Sequence, residues 1–186
     1  MTRIVAGVHG GRRITAPPGR DTRPTADRVR EALFSTLDSL TDVAGARFAD
    51  LYAGSGAVGL EAASRGAAAV LLVESDARAA RTIRANIAAL DLGATCSLLV
   101  VRVASALATP PPAPFEVVFA DPPYAMPDQE VTDLLRDLVR HEWLAPEGVV
   151  VVERSARSPE PVAVEGVTSE RGRRYGETAL WYFRRS

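Results

Sequence analysis

At 186 residues, 47% of them hydrophobic, the chain can bury one sizeable core but not two full domains. Its single cysteine, Cys96, excludes an internal disulfide and a cysteine-based metal site; His9 and His141 lack ligand spacing, so no metal is expected. The net charge of −1 gives no general affinity for nucleic acid, but the first 30 residues hold seven arginines against two acids, and Arg171, Arg173 and Arg174 form a second basic cluster. Such an end suits either an acidic partner or a solvated terminus. No apolar stretch approaches transmembrane length and no secretory signal opens the chain, so no membrane contact and a cytoplasmic location are expected.

In chain order, residues 3–7 and 12–16 read as two short strands around the turn His9-Gly10-Gly11, a β-hairpin closed off by Pro17-Pro18-Gly19. Thr25 is placed to cap a helix to about Leu40, with Val29, Leu33, Leu37 and Leu40 on one face. From residue 45 strands and helices alternate. Strands are predicted at 47–52, 69–73, 97–103, 115–120 and 148–153, and helices within 54–64, 76–90 and 127–141. Residues 109–114 contain four prolines and must be loop. The apolar runs are continuous, as in parallel strands buried on both faces. Residues 162–167 and 178–185 read as an antiparallel pair. The expected fold is a doubly wound α/β domain over residues 21–186, carrying an N-terminal hairpin extension over residues 1–20.

The segment from Asp50 to Gly59 follows a strand, opens a helix and fits G-x-G-x-x-G through Gly54, Gly56 and Gly59. Glu74 lies 20 residues after Gly54, at the end of the next strand, where an acid can accept bonds from ribose hydroxyls. Together these features point to a bound adenosine cofactor. Asp50 bears on which one. A carboxylate at the mouth of the loop repels a pyrophosphate but attracts the sulfonium and ammonium of S-adenosylmethionine. It could equally serve as a turn carboxylate.

Asp121-Pro122-Pro123-Tyr124 stands at the end of the strand over 115–120, the edge where open α/β sheets bind ligands. The two prolines stiffen the turn and donate no N–H, leaving carbonyls free to accept. A carboxylate and a carbonyl together suit an exocyclic amino group. Accepting its two N–H bonds helps a delocalised nitrogen become pyramidal and attack a methyl group. Tyr124 offers a face on which a flipped base can stack.

These residues carry a resemblance. The stretch from Asp50 to Gly59 resembles motif I of class I methyltransferases, Glu74 their ribose-binding acid, and Asp121 to Tyr124 the motif shared by amino methyltransferases of adenine N6, cytosine N4 and guanine N2. The whole chain resembles the RsmD family of 16S ribosomal RNA guanine-966-N2 methyltransferases. The matching segments are Arg3-Ile4-Val5-Ala6-Gly7, Gly11-Arg12-Arg13, Arg23-Pro24-Thr25, Asp27 through Phe34, and Tyr175-Gly176-Glu177-Thr178. The resemblance implies a mostly parallel seven-stranded Rossmann-like sheet with an antiparallel C-terminal pair. It also implies methyl transfer from S-adenosylmethionine to N2 of a guanine in small-subunit RNA, by a monomer.

The cofactor-binding candidates are then Asp50, Tyr52, Ala53, Gly54, Ser55, Gly56, Gly59, Glu74, Ser75, Ser105 and Asp121; the catalytic ones are Asp121, Pro122, Pro123 and Tyr124. The RNA-binding candidates are Arg3, His9, Arg12, Arg13, Arg23, Arg28, Arg30 and, in a loop, Arg171, Arg173 and Arg174. Family members often carry an Asp after the third core strand to hold the adenine; here residues 102–107 have no carboxylate, which leaves Ser105 or backbone groups. The hairpin has no chemistry for the cofactor, so its loss is expected to spare cofactor affinity and to reduce RNA binding. Three rivals remain. A DNA adenine-N6 methyltransferase shares the Asp-Pro-Pro-Tyr motif. A nicotinamide-dependent oxidoreductase leaves that motif unexplained. A non-catalytic RNA-binding protein would hold S-adenosylmethionine without turnover.

Overall fold

The four valines from Val149 to Val152 are fully buried although alternate side chains of a strand point to opposite faces. Only a sheet covered on both sides offers that environment. The computed structural model describes the backbone of residues 2–17 and 24–186 and the side chains of residues 2–17 and 27–186. In chain order the elements are β1 (Thr2–Arg3), β2 (Arg13–Ile14), α1 (Pro24–Leu40), β3 (Arg47–Leu51), α2 (Ala57–Ser64), β4 (Ala69–Val73), α3 (Ala77–Ala89), β5 (Cys96–Leu99), α4 (Val103–Leu107), β6 (Phe115–Ala120), α5 (Asp128–Arg140), β7 (Leu144–Ser155), β8 (Val167–Tyr175) and β9 (Thr178–Arg185). The large sheet runs β5-β4-β3-β6-β7-β9-β8, parallel through β7 and antiparallel in its last two pairings. It is the expected α/β architecture, with its topological switch between β3 and β6. Among the described residues no helix is long and apolar enough to cross a membrane.

Two cores flank the sheet. One packs α1, α2 and α3 through Leu33, Phe34, Leu60 and Ile83. The other packs α4 and α5 through Leu107, Leu134, Leu135 and Leu138. Leu134, Leu135 and Leu138 fall at i, i+1 and i+4, one stripe of a 3.6-residue period. At Gly59 an added Cβ would lie 2.9 Å from Leu72 Cδ2, so this glycine lets α2 pack closely on β4.

The hairpin is shorter in its strands than its sequence suggests, and it is not a loose appendage. Ile4 and Ile14 belong to the first core. Val5 N–H and Ala6 N–H donate to the buried Glu61 carboxylate at 3.0–3.2 Å, while Arg65 closes its other side at 3.3 Å. Thr15 N–H donates to Asn86 Oδ1 (2.9 Å), and Asn86 Nδ2 returns a bond to the Thr15 carbonyl. Gly7 has φ +81°, and a Cβ there would overlap the Ser64 carbonyl; glycine is what lets the hairpin seat on α2.

Four expectations are corrected. Helix α1 begins at Pro24, so Thr25 lies inside it rather than before it; Pro24 suits a first helical position because its missing N–H would have no intrahelical partner. Strand β5 stops at Leu99, and residues 103–107 form α4, because Val103, Ala106 and Leu107 have helical spacing and bury together. Strand β7 starts at Leu144, ahead of the expected 148, across a register shift opposite β6. Residues 162–166 lie outside any strand; β8 is Val167–Tyr175, so Arg171, Arg173 and Arg174 sit on a strand and not in a loop. Polar residues form that strand because it is the sheet edge, where ladder bonds to β9 suffice and charge discourages further pairing.

Candidate active site

At the carboxyl edge of the sheet a cleft of about 650 Å³ opens over β3, β6, β7 and β9. Its walls come from the hairpin (Thr2, Ala16, Pro17), α1 (Val29, Arg30, Leu33), the glycine loop (Tyr52 to Ser55), Asp121 with Tyr124, and the β8–β9 turn (Tyr175 to Thr178).

The glycine loop is bent by three left-handed residues, Tyr52 (φ 61°), Gly54 (φ 61°) and Gly56 (φ 82°). Tyr52 is the uncommon one, since a bulky side chain disfavours positive φ; such strain gathers at functional loops. Two acids brace the bend. Glu74 accepts Gly54 N–H at 2.7 Å and Asp76 N–H at 2.9 Å. Asp50 accepts Gly59 N–H at 2.9 Å. Asn86 ties the Ser55 carbonyl (3.0 Å) to the hairpin. Asp50 is therefore a turn carboxylate and also part of the cleft wall. Burial pushes its carboxyl well above the usual range, the Gly59 bond opposes this, and the charges of Asp121 and Glu74 add to it.

This donor set fits a cationic cofactor. The Gly54 and Gly59 N–H groups that would cradle a pyrophosphate are already spent on carboxylates. The acids Asp50 and Asp121 in the same wall suit a sulfonium and an ammonium. Tyr52, Ala53, Gly54 and Ser55 line the cleft, whereas Gly56, Gly59, Glu74, Ser75 and Ser105 do not. Ser75 and Ser105 are exposed, Ser105 on α4.

Asp121 follows β6, and Pro122 behind it is buried. The Pro123 carbonyl is taken by Met126 N–H (2.9 Å) and by Arg154 (3.1 Å); the Pro122 carbonyl makes no hydrogen bond among the described residues. Tyr124 is 46% exposed, with its hydroxyl 3.5 Å from Thr178 Oγ1. The ring lines the cleft and stays open to solvent.

The basic candidates separate. Arg3, Arg12, Arg13, Arg28, Arg173 and Arg174 are exposed, and His9 and Arg171 half-buried. Arg12 is drawn onto the Ala89 carbonyl (2.7 Å), and Arg174 lies over the Trp181 ring at 5.4 Å. Arg30 is corrected from a surface phosphate contact to an interior residue. It is 4% exposed and bonded to the Arg3 carbonyl and Asp27, so it ties α1 to the hairpin. Its Nε, which faces no partner among the described residues, belongs to a side chain of the cleft wall. Arg23 lies outside the described residues.

Two neighbours at the end of β7 escaped the sequence reading. Glu153 lines the cleft on the same face as Asp50 and Asp121. Burial and the Asp121 and Asp50 charges push its carboxyl up to about 8. Arg154 points to the opposite face, 2% exposed, and donates to the carbonyls of Pro123 (3.1 Å) and Met126 (2.8 Å) and to Asp128 (3.4 Å). It buttresses the Asp-Pro-Pro-Tyr turn from beneath. The available signal was position: a charged pair directly after a run of four valines at the carboxyl edge, as Asp50 and Glu74 stand at their strand ends.

A family model described as "Conserved hypothetical protein 95" matches residues 2–184. Ribosomal RNA small subunit methyltransferase D of Escherichia coli strain K12 is 34% identical over 184 residues, covering 98% of this chain and 89% of the relative. The solved structure of yhhF from Escherichia coli superposes with a TM-score of 0.87 at 34% identity, over 99% of this chain and 97% of that one. SMU.776, solved in complex with SAH, shares the fold, with a TM-score of 0.68 at 16% identity over 84% of this chain and 48% of that one.

Proposed function

Because the chain belongs to the Conserved hypothetical protein 95 family, the RsmD family of rRNA methyltransferases, we propose that it transfers a methyl group from S-adenosylmethionine to the exocyclic N2 of a guanine in 16S ribosomal RNA. It acts as a cytoplasmic monomer on the small ribosomal subunit. The observation that carries this reading is the placement of Asp121 just after β6, between the glycine loop after β3 and the half of the cleft over β7 and β9.

S-adenosylmethionine supplies an electrophilic methyl group when bound across that loop. Glu74 and the loop backbone it braces would hold the ribose side, and Asp50 would face the positive charge. Asp121 and the Pro122 carbonyl accept the two N–H bonds of the guanine amino group, which turns the nitrogen lone pair toward the methyl carbon. Tyr124 stacks on the flipped base. Methyl transfer would exchange the C–S bond of the sulfonium for the new N–C bond, leaving a neutral thioether, and the proton shed by the amino group would pass through Asp121 to water. Positioning supplies the catalysis, with no covalent enzyme intermediate. Arg3, Arg13, Arg28, Arg173 and Arg174 on the rim grip phosphates around the base.

Mass spectrometry of nucleosides from small-subunit RNA of cells with and without the protein tests this. The expected result is N2-methylguanosine present at one position only when the protein is. Unchanged small-subunit RNA together with a loss of N6-methyladenine in DNA would overturn it.

A further inference from the structure

Across the carboxyl edge four acids follow one another along adjacent strands: Glu74 after β4, Asp50 on β3, Asp121 after β6 and Glu153 on β7. The first three have roles in holding the loop, facing the cofactor's charge and accepting the amino group. Glu153 is left over. Val152 pairs with Ala120, so Glu153 continues the rung beside Asp121, on the side away from Asp50. In that position it flanks the part of the base beyond the reacting nitrogen.

The cleft around Glu153 presents Asp121, Asp50, Glu177, Tyr124, Tyr175 and Arg30. Burial and the charges of Asp121 and Asp50 push the Glu153 carboxyl up to about 8, so near neutrality it is largely protonated and its carbonyl oxygen can still accept a hydrogen bond. On a guanine, the atom next to the amino-bearing carbon on the Watson–Crick edge is N1, which carries a hydrogen. On adenine the corresponding nitrogen next to its amino-bearing carbon carries a lone pair instead.

We propose that Glu153 accepts the N1–H of the acceptor base and so restricts the cleft to guanine. The proposal rests on the guanine-N2 reading and names the residue that reads the ring. Arg30, whose Nε–H has no partner among the described residues, is a donor of the kind that O6 requires.

The test compares two synthetic segments of small-subunit RNA, one with the acceptor guanine and one with 2-aminopurine there. The analogue keeps the 2-amino group but has a bare lone pair at N1 and no O6, so the change in preference between the unmodified protein and its Glu153 variants, and not its absolute size, reports the N1 contact. Assayed at about pH 9, above the shifted titration of Glu153, where a carboxylate has no proton to offer a bare N1, the unmodified protein is expected to favour guanine by about tenfold or more in kcat/KM, within the range of a single base-edge contact. In Glu153→Gln the amide can donate to the bare N1, so the preference collapses while S-adenosylmethionine affinity holds. The amide matches the carboxyl in size, and burial with the Asp121 and Asp50 charges already favours a neutral group there, so this variant should stay folded. Glu153→Met, of similar length and with nothing to accept a proton, gives an independent variant and should also lose the preference. Equal use of both RNAs by the unmodified protein overturns the proposal, as does an unchanged preference in either variant. If guanine N2 is not methylated at all, the underlying function falls as well, which separates the two failures.

Discussion

Glu74 holds two backbone N–H groups, those of Gly54 and Asp76, so substitutions there have two effects that can be separated. Glu74→Ala frees both donors at about 1.5–3 kcal/mol for each charged hydrogen bond, and should lower thermal stability together with S-adenosylmethionine affinity. Glu74→Gln keeps an acceptor oxygen for the loop and should fold nearly as well while binding the cofactor more weakly. Calorimetry on the folded glutamine variant checks the ribose role, and full affinity there would remove it. Asp121→Ala should abolish turnover while cofactor affinity changes little, because Asp121 acts mainly on the amino group and Asp50 remains in the wall to face the cofactor's charge. Tyr124→Ala should be less complete, and Tyr124→Phe should keep much of the activity, since the 3.5 Å approach to Thr178 is a weak restraint on the ring. Single-turnover methylation distinguishes these, and an inactive Tyr124→Phe would move the role from ring to hydroxyl.

Between elements, the decisive contacts cross from one secondary structure to another. Arg154 reaches from β7 to the turn between β6 and α5, bonding two carbonyls that a single ammonium cannot span. Arg154→Lys should therefore lower kcat about tenfold or more while the KM for S-adenosylmethionine stays nearly fixed. A parallel fall in cofactor affinity would show general collapse instead of a misaligned turn. The hairpin is bound in a similar way. Its deletion strands the buried Glu61 carboxylate against Arg65 alone and releases Asn86, which also steadies the Ser55 carbonyl. Loss of residues 1–17 should thus lower Tm and weaken cofactor binding together, at roughly 2–4 °C per kcal/mol for a chain of this size. The hairpin's lack of cofactor chemistry had suggested that it could be lost at no cost to that site; its packing says otherwise. Differential scanning calorimetry with and without S-adenosylmethionine measures both effects.

Over the whole molecule, a net charge of −1 coexists with exposed arginines at both ends of the chain, Arg3, Arg13 and Arg28 near one terminus and Arg173 and Arg174 near the other. Replacing Arg12 and Arg13 by alanine should flatten the salt dependence of RNA binding by about one to two units of slope, since each phosphate contact releases roughly one counterion. Arg12 already spends one nitrogen on the Ala89 carbonyl, so the lower figure is expected if only Arg13 reaches a phosphate. An unchanged slope in a stable double variant would take the hairpin out of the RNA interface. The sequence by itself determined the alternating α/β order, the strand ends bearing Asp50, Glu74 and Asp121, and the turn at Asp121 to Tyr124, because continuous apolar runs, glycine spacing and proline are local signals. It could not reveal β8, whose polar residues are held by pairing with β9 rather than by burial. Nor could it separate Arg30 from the exposed arginines. Only the tertiary structure decided that Arg30, Glu61, Asn86, Glu153 and Arg154 work from the interior. Their partners lie on elements distant in sequence, and the burial that gives a charged side chain its role there is a property of the assembled layers.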